Sequence, residues 1–340
     1  MAAPDGADVL LVSLGSTAGL RRADDELADS LRRAGAQVAI ARAEPPAALP
    51  TLMLTDLAWA RAARAAAARD VATARAVIYS STTAALLWRR PGAIRFDAAA
   101  AGNRPGRHGL WQRPLERRRL GHAPLLLPWS DGGLREAPGV AARGDRALVL
   151  PVPVEASGPL DGDRDIAAVT YAANPRKKGF DRVLAAWRKL RAAGSPASER
   201  ELVVAGATPT QLEIAGLKRG EPGVRVVGLL APEDFRALLR RARVFVCAPR
   251  REDYGIVQLE ALADGCQLVT TAAPGPYAAL PLARELDTRL VGDDLSKALS
   301  TALDDPRGDY AARARDVLLP YTREAIDRIV ADRLLPRLPA

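Results

Sequence analysis

Three residues able to do chemistry, Glu252, Gly255 and Glu260, stand in the stretch CAPRREDYGIVQLEALADGC, with seven residues between the two glutamates. A glycine at a helix start lets an anion approach exposed backbone amides, where the positive end of the helix dipole favours negative charge. Glu260, about one turn farther in, suits hydrogen bonds from ribose hydroxyls, as the acidic residue of dinucleotide folds does. Glu252, on the loop ahead, faces whatever lies beyond the phosphates. These types in this order point to a nucleotide that carries a further polar group. Acidic residues also gather at helix starts because the dipole favours them, so the spacing by itself leaves both readings open.

The elements that must position them are legible nearby. RVFVCAP, Arg243 to Pro249, is apolar and β-favouring and ends at a proline, which reads as a buried strand running into a loop. In IVQLEALAD, Ile256, Leu259 and Ala263 fall on one helical face, and Gly265 follows where a C-terminal cap belongs. Gly255 is then the helix N-terminus. Upstream, IAAVTYAANPRKKGFDRVLAAWRKL reads strand, loop, helix, with Arg176, Lys177 and Lys178 just before Gly179. Cations at the positive end of a helix are unfavourable unless an anion compensates, which favours a phosphate partner over a merely solvated basic turn. ELVVAGA is a further strand with Gly206 at its exit.

The first half carries a similar alternation. DVLLVSLGSTAGLRRADDELADSLRRAGAQVAIAR reads strand, small-residue turn, amphipathic helix, strand: one βα unit of a parallel sheet. Gly15, in its turn, either helps to cradle an anion or acceptor group or is simply the small residue that a tight turn needs. AVIYSSTTAALLW is a strand with a hydroxyl-rich exit of the kind that faces the ligand crevice in open α/β sheets. The strand AIRF stops at Asp97, which lines a site or caps the loop. A long Gly, Pro and Arg-rich loop follows, with Arg107 and His108, and loops of this length are often lids or binding segments. RALVLPVPVE closes the domain, VEASGPLDGDRD is the linker candidate, and REAIDRIVADRLLPRL is a final helix able to cross back to the first domain.

Composition bounds the function. The 340 residues suffice for two domains, and 48% hydrophobic content supports globular cores. The net charge of +9 is spread through Ala-rich helices, and its runs at Arg89-Arg90 and Arg117 to Arg119 carry few aromatics of the sort that stack on bases. Nucleic acid is therefore not expected as a partner. Attraction to phosphates, or to an anionic membrane surface through Arg104, Arg107, Arg113, Arg117 to Arg119 and Trp111, is the more economical use of that charge. Cys247 and Cys266 lie in or beside buried strands, as expected of a reduced, cytoplasmic setting. Two histidines and two cysteines, widely scattered, argue against a metal site. No apolar run approaches the ~18 residues of a membrane span, and the N-terminal residues lack a signal-peptide pattern.

EDYGIVQLEALADG resembles the E-x7-E signature of retaining GT-B glycosyltransferases of family 4, usually E-G-F-G-x-x-x-x-E-A-x-A-x-G, with both glutamates, the glycine, the Glu-Ala pair and the final glycine in register. The resemblance covers the second half of the chain well and the first by pattern only. It implies an α/β GT-B fold, two Rossmann-like parallel-sheet domains facing across a cleft. The expected domains are an acceptor domain over 1–157, a donor domain over 158–320, and a helix over 321–340 packing back on the first domain. It implies transfer of a sugar, with retention, from a nucleoside-diphosphate sugar (UDP or GDP) to an unidentified acceptor, without metal or cofactor.

Residue by residue, the resemblance makes Glu252 catalytic and places Gly15, Arg176, Lys178, Gly206, Glu252, Tyr254, Gly255, Ile256, Val257 and Glu260 around the donor. Lys178-Gly179 matches the family's diphosphate-facing Lys-Gly pair. The family's preceding arginine is replaced near Ala172 or Ala173, so Arg176 or Lys177 must supply the second cation. Where the family has a strand-end histidine, Phe96-Asp97 stands, giving Asp97 that place as a second catalytic candidate, with His108 and Arg107 on the acceptor side. The backbone of Val227 to Leu230 is expected at the nucleobase. The alternatives are a non-catalytic nucleotide-sugar binder and a sugar-nucleotide epimerase of similar shape, the latter disfavoured by the scarcity of histidine.

Overall fold

The computed structural model describes residues 7–47, 49–104, 106–139, 146–159, 162–194 and 200–338, except the side chain of His108. The chain divides into two compact units, Met1–Pro153 with Tyr321–Ala340, and Val154–Pro320.

In the first unit, short apolar runs form strands β1 (Val9–Ser13), β2 (Val38–Arg42), β3 (Ala76–Tyr79), β4 (Ala93–Phe96) and β5 (Leu126–Pro128). All pair in parallel, in the order β2-β1-β3-β4-β5. β1, β3 and β4 are buried along their whole length, as parallel strands covered on both faces must be. Helix Ala18–Arg33 starts at Thr17, whose hydroxyl accepts from the Leu20 amide, and it lays Leu27, Ala28 and Leu31 on the sheet. Ile326, Val330, Leu334 and Leu338 join the same core. The segment Tyr321–Ala340 is thus structurally part of this unit, and Asp327 pairs with Arg33 at 2.7 Å.

One segment differs from the sequence expectation. The stretch after Asp97 is helical rather than a long loop: helix Ala100–Asn103, a 3-10 turn Gly106–Gly109 and helix Gln112–His122. Glu116 organises it, both carboxylate oxygens accepting from the Ala100 amide at 2.9 and 3.0 Å. Pro114 is tolerated because it lies in the first turn, where its missing N–H would have no intrahelical partner. The segment beginning at Ala147 runs alongside β5 through Leu148 and Leu150 amides. Pro151 and Pro153 have no amide hydrogen to continue that ladder.

The second unit holds strands β6 (Ile166–Tyr171), β7 (Leu202–Ala205), β8 (Val224–Gly228), β9 (Ala242–Cys247) and β10 (Gln267–Thr270), again all parallel, in the order β10-β9-β6-β7-β8. Strand order reverses between β6 and β9, and in open parallel sheets the ligand crevice lies beyond the carboxyl ends of the strands at such a point. The residues leaving those two strands are Ala172 to Gly179 and Ala248 to Gly255. Glu155 and Ser157 are tied into this unit: the Glu155 carbonyl accepts from Arg236 and Ser157 donates to Asp264.

Candidate active site

The loop after β6 is shaped by two left-handed residues. Asn174 has φ 54°, its side chain accepting from the Lys177 amide at 3.2 Å, and Gly179 has φ 66° at the start of helix Phe180–Ala192. The loop after β9 lies against it. The Arg250 amide donates to the Lys177 carbonyl at 3.0 Å, and Arg250 reaches Asp181 at 2.6 Å. These contacts bring Lys178 onto Glu252: Nζ lies 2.8 Å from Oε2 and 3.1 Å from Oε1. Glu252 is only 4% exposed. Its own amide donates to the Pro274 carbonyl at 3.0 Å, so backbone as well as side chain is held.

A third partner, Gln258, donates from Nε2 to Glu252 Oε2 at 2.9 Å. Gln258 sits in the first turn of helix Ile256–Ala263, whose N-cap is Gly255 with φ 91°. The ring of Tyr277 would meet a Cβ at Gly255 at 3.0 Å, so the cap is bare backbone for both conformational and steric reasons. Behind Glu252 the buried Thr270 hydroxyl bonds Tyr277 at 2.9 Å and Cys247 at 3.3 Å. Burial pushes the Tyr277 phenol well above its ordinary range and raises the Cys247 thiol. Both remain neutral packing groups beneath the carboxylate.

Lys177 is engaged elsewhere, at 2.9 Å from Asp253, which also receives Arg251 at 2.9 Å. Burial pushes Asp253 upward, but the two cations outweigh it and hold the carboxyl below the usual range. Of the two residues expected to supply a second diphosphate cation, Lys177 is thus paired with Asp253, while Arg176 is exposed and its carbonyl accepts from Arg250.

Glu260 lies within the helix, 3.6 Å from Arg236. Arg236 is itself clamped by Asp264 at 2.5 and 3.0 Å. Tyr171, at the end of β6, senses both surroundings, its phenol raised by burial and by the Glu260 charge. Gly206 has φ 87°, and a Cβ there would strike the Tyr171 ring at 2.5 Å. Leu229, just past β8, is 71% exposed. Arg176, Lys178, Gly206, Tyr254, Gly255, Ile256, Val257 and Glu260 thus all lie on or beside the carboxyl-end loops of the second sheet. The Tyr254 side chain is buried, and its carbonyl accepts from the Ala278 amide.

Gly15, Asp97, Arg107 and His108 belong to the first unit. Gly15 has φ 57° at the exit of β1, beside Leu14, whose amide donates to the Ser80 hydroxyl at the exit of β3. Asp97 follows β4 and accepts from the Ala98 amide at 2.7 Å, an interaction that caps its own loop. Arg107 is exposed, and the His108 side chain lies outside the described residues. Of the basic side chains around them, Arg104 pairs with Asp56, Arg113 donates to the Gly106 and Gly109 carbonyls, and Arg119 lies over Trp88 at 4.9 Å. Among the described residues no helix is long and apolar enough to cross a membrane.

Gln258, Asp253 and Arg236 were not anticipated. Gln258 alone had a signal, since it lies three residues after the cap glycine, where a first-turn side chain can reach back over the loop.

Residues 164–305 match the family model of glycosyl transferases group 1. No curated protein sequence matches the chain. Among solved structures, the chain is similar to WaaG, a glycosyltransferase involved in lipopolysaccharide biosynthesis, with TM-score 0.69, 18% identity, and 95% of this chain and 99% of that chain covered. It is similar to the sucrose-phosphate synthase of Thermosynechococcus elongatus, with TM-score 0.68, 17% identity and coverage of 94% and 96%. HepE of Anabaena, in complex with UDP and glucose, matches with TM-score 0.66, 14% identity and coverage of 96% and 98%. The chain thus has the GT-B glycosyltransferase fold, and its residues 164–305 carry the match to the group 1 glycosyl transferases.

Proposed function

We propose that the protein is a retaining glycosyltransferase that moves a sugar from a nucleoside-diphosphate sugar to a hydroxyl acceptor. The observation that supports it most directly is the Lys178–Glu252 pair at the strand-order reversal, inside the segment that matches the group 1 transferases. Donor bond cleavage builds positive charge on the sugar and negative charge on the leaving diphosphate, and a transferase must stabilise both. Lys178 and the amides following Gly255 serve the diphosphate. Glu252 serves the sugar hydroxyls and orients the anomeric carbon, and Glu260 holds the ribose. Donor binding therefore exchanges one anion for another on Lys178, from the Glu252 carboxylate to the diphosphate. Gln258 keeps hold of Glu252 during that exchange. In this reading the leaving group is neutralised by protein cations and amides, with no metal or cofactor required.

The donor nucleotide is proposed to be UDP first and GDP second, as HepE is complexed with UDP and glucose. Asp97 is proposed as the second catalytic group and Gly15 as a donor contact, with Arg107 and His108 as acceptor-side candidates. A cytoplasmic enzyme in peripheral contact with an anionic membrane is proposed on the exposed Arg107, Arg117 and Arg118 together with exposed Leu110. Sedimentation with vesicles that is indifferent to anionic lipid removes that part alone.

The experiment is release of nucleoside diphosphate from a panel of UDP-, GDP- and dTDP-sugars, with the anomeric configuration of the product read by NMR. Glu252→Gln is expected to bind donor yet lose most turnover. Donor binding by the unsubstituted protein without turnover or hydrolysis identifies a non-catalytic binder, and unchanged turnover in Glu252→Gln removes the catalytic assignment.

A further inference from the structure

At the opposite ends of the second sheet, where β6, β7, β8 and β9 begin, a cavity of about 330 Å³ is lined by five arginines, Arg164, Arg200, Arg225, Arg241 and Arg243. Two carboxylates line it with them, Asp165 and Glu201. These strands are four to six residues long. At about 3.3 Å per residue, the cavity is therefore roughly 13–20 Å from the carboxyl-end loops that carry Lys178 and Glu252.

Three of the arginines have local work. Arg241 pairs with Asp165 and lies in the last turn of helix Pro232–Arg241, where the dipole favours a cation. Arg225 pairs with Glu201 at 2.7 Å. Arg164 caps two helix ends through the Ala242 and Asp264 carbonyls at 2.6 and 2.7 Å. The remaining two are arranged differently. Arg200 and Arg243 donate to one and the same oxygen, the Leu303 carbonyl, at 2.9 and 3.1 Å. Two guanidinium groups are held together on a neutral acceptor, and among the described residues the carboxylate paired with them is Asp304, 3.6 Å from Arg200. The shared carbonyl takes one donor from each but leaves two like charges close together, a repulsion that an anion would relieve.

The geometry points to a second anion site in the cavity at the amino ends of β6 to β9, built on Arg200 and Arg243, for a small soluble phosphorylated molecule. Planar guanidinium forks match phosphate oxygens in pairs, and several of them around one concavity suit a group with more than one negative charge. The volume sits at the low end of small-molecule sites, which fits a phosphate or diphosphate group with little attached. The site is independent of the donor assignment, since no residue is shared.

Inorganic pyrophosphate is the probe, titrated calorimetrically into Lys178→Ala protein so that the donor loops contribute little. One pyrophosphate is expected to bind. Adding Arg200→Gln and Arg243→Gln is expected to weaken it about tenfold or more, the loss of charge-assisted hydrogen bonds. The same pair of substitutions in the otherwise unaltered chain is expected to leave UDP binding and the thermal midpoint near their original values, which separates loss of the site from loss of the fold. Absence of pyrophosphate binding in Lys178→Ala overturns the proposal, as does equal affinity after the arginine substitutions. Sedimentation with phosphatidic acid vesicles that depends on Arg200 and Arg243, without pyrophosphate binding, overturns the soluble ligand and assigns the phosphate to a lipid.

Discussion

A Cβ placed on Gly179 would lie 1.8 Å from the carbonyl oxygen of Ala248. The loop that carries Lys178 is therefore seated directly on the end of β9, the strand that leads to Glu252. Gly179→Ala meets both that contact and a left-handed φ of 66°. The cost is expected to exceed about 3 kcal/mol, because backbone and not a side-chain tip must move. Urea unfolding of the purified variant checks the stability, and UDP titration checks that donor affinity falls with it.

Gln258→Leu removes the amide that holds Glu252 while nearly preserving volume. As a positioning residue, its loss is expected to lower kcat about five- to tenfold, near one hydrogen bond, with KM little changed. Gln258→Glu places a like charge against Glu252 and is expected to be worse. A fall confined to KM, or equal stability loss with no change in kcat, would assign Gln258 to packing only.

Glu260→Ala is expected to weaken UDP binding by about 1.5–3 kcal/mol, the worth of a hydrogen bond to a charged group. Arg236, left without that partner, keeps Asp264 at 2.5 Å, so the fold is expected to survive. Calorimetric titration of UDP against UMP and uracil locates the loss, which belongs to ribose-containing ligands alone.

Asp253 supplies a pH signature. Lys177 and Arg251 hold its folded pKa below the usual value, so the folded state releases the proton more readily than the unfolded chain. The stabilisation is full above the unfolded pKa of about 3.9 and is lost as pH falls through the folded value. The difference in urea midpoint between the parent protein and Asp253→Asn is expected to be constant at neutral pH and to shrink below about pH 4. A difference that grows with acidification contradicts the assignment.

Much of the fold was legible because parallel strands covered on both faces read as near-continuous apolar runs. VLLVS, AVIY and VFVC announce themselves, and small residues at their exits mark the turns. Gly255 and Lys178-Gly179 were legible as helix starts for the same local reason. The stretch after Asp97 was not, because its helices depend on Glu116 reaching the Ala100 amide, a contact that no periodicity encodes. The commitment of Lys177 to Asp253 was equally hidden. It exists only because β6 and β9 are neighbours in the sheet, and neighbour order is a long-range property. Lys177 and Lys178 look interchangeable in sequence, yet the loop turns one toward Asp253 and the other toward Glu252.

The first unit is assembled from both sides of the second, with Ile326, Val330, Leu334 and Leu338 completing the core that Val9 and Leu11 begin. During synthesis the ribosome makes Val154–Pro320 before those closing side chains exist. Domains generally fold as units while the chain emerges. The nucleotide-sugar half is thus free to mature first, and the amino-terminal half waits, with part of its apolar surface uncovered, until the segment from Tyr321 arrives.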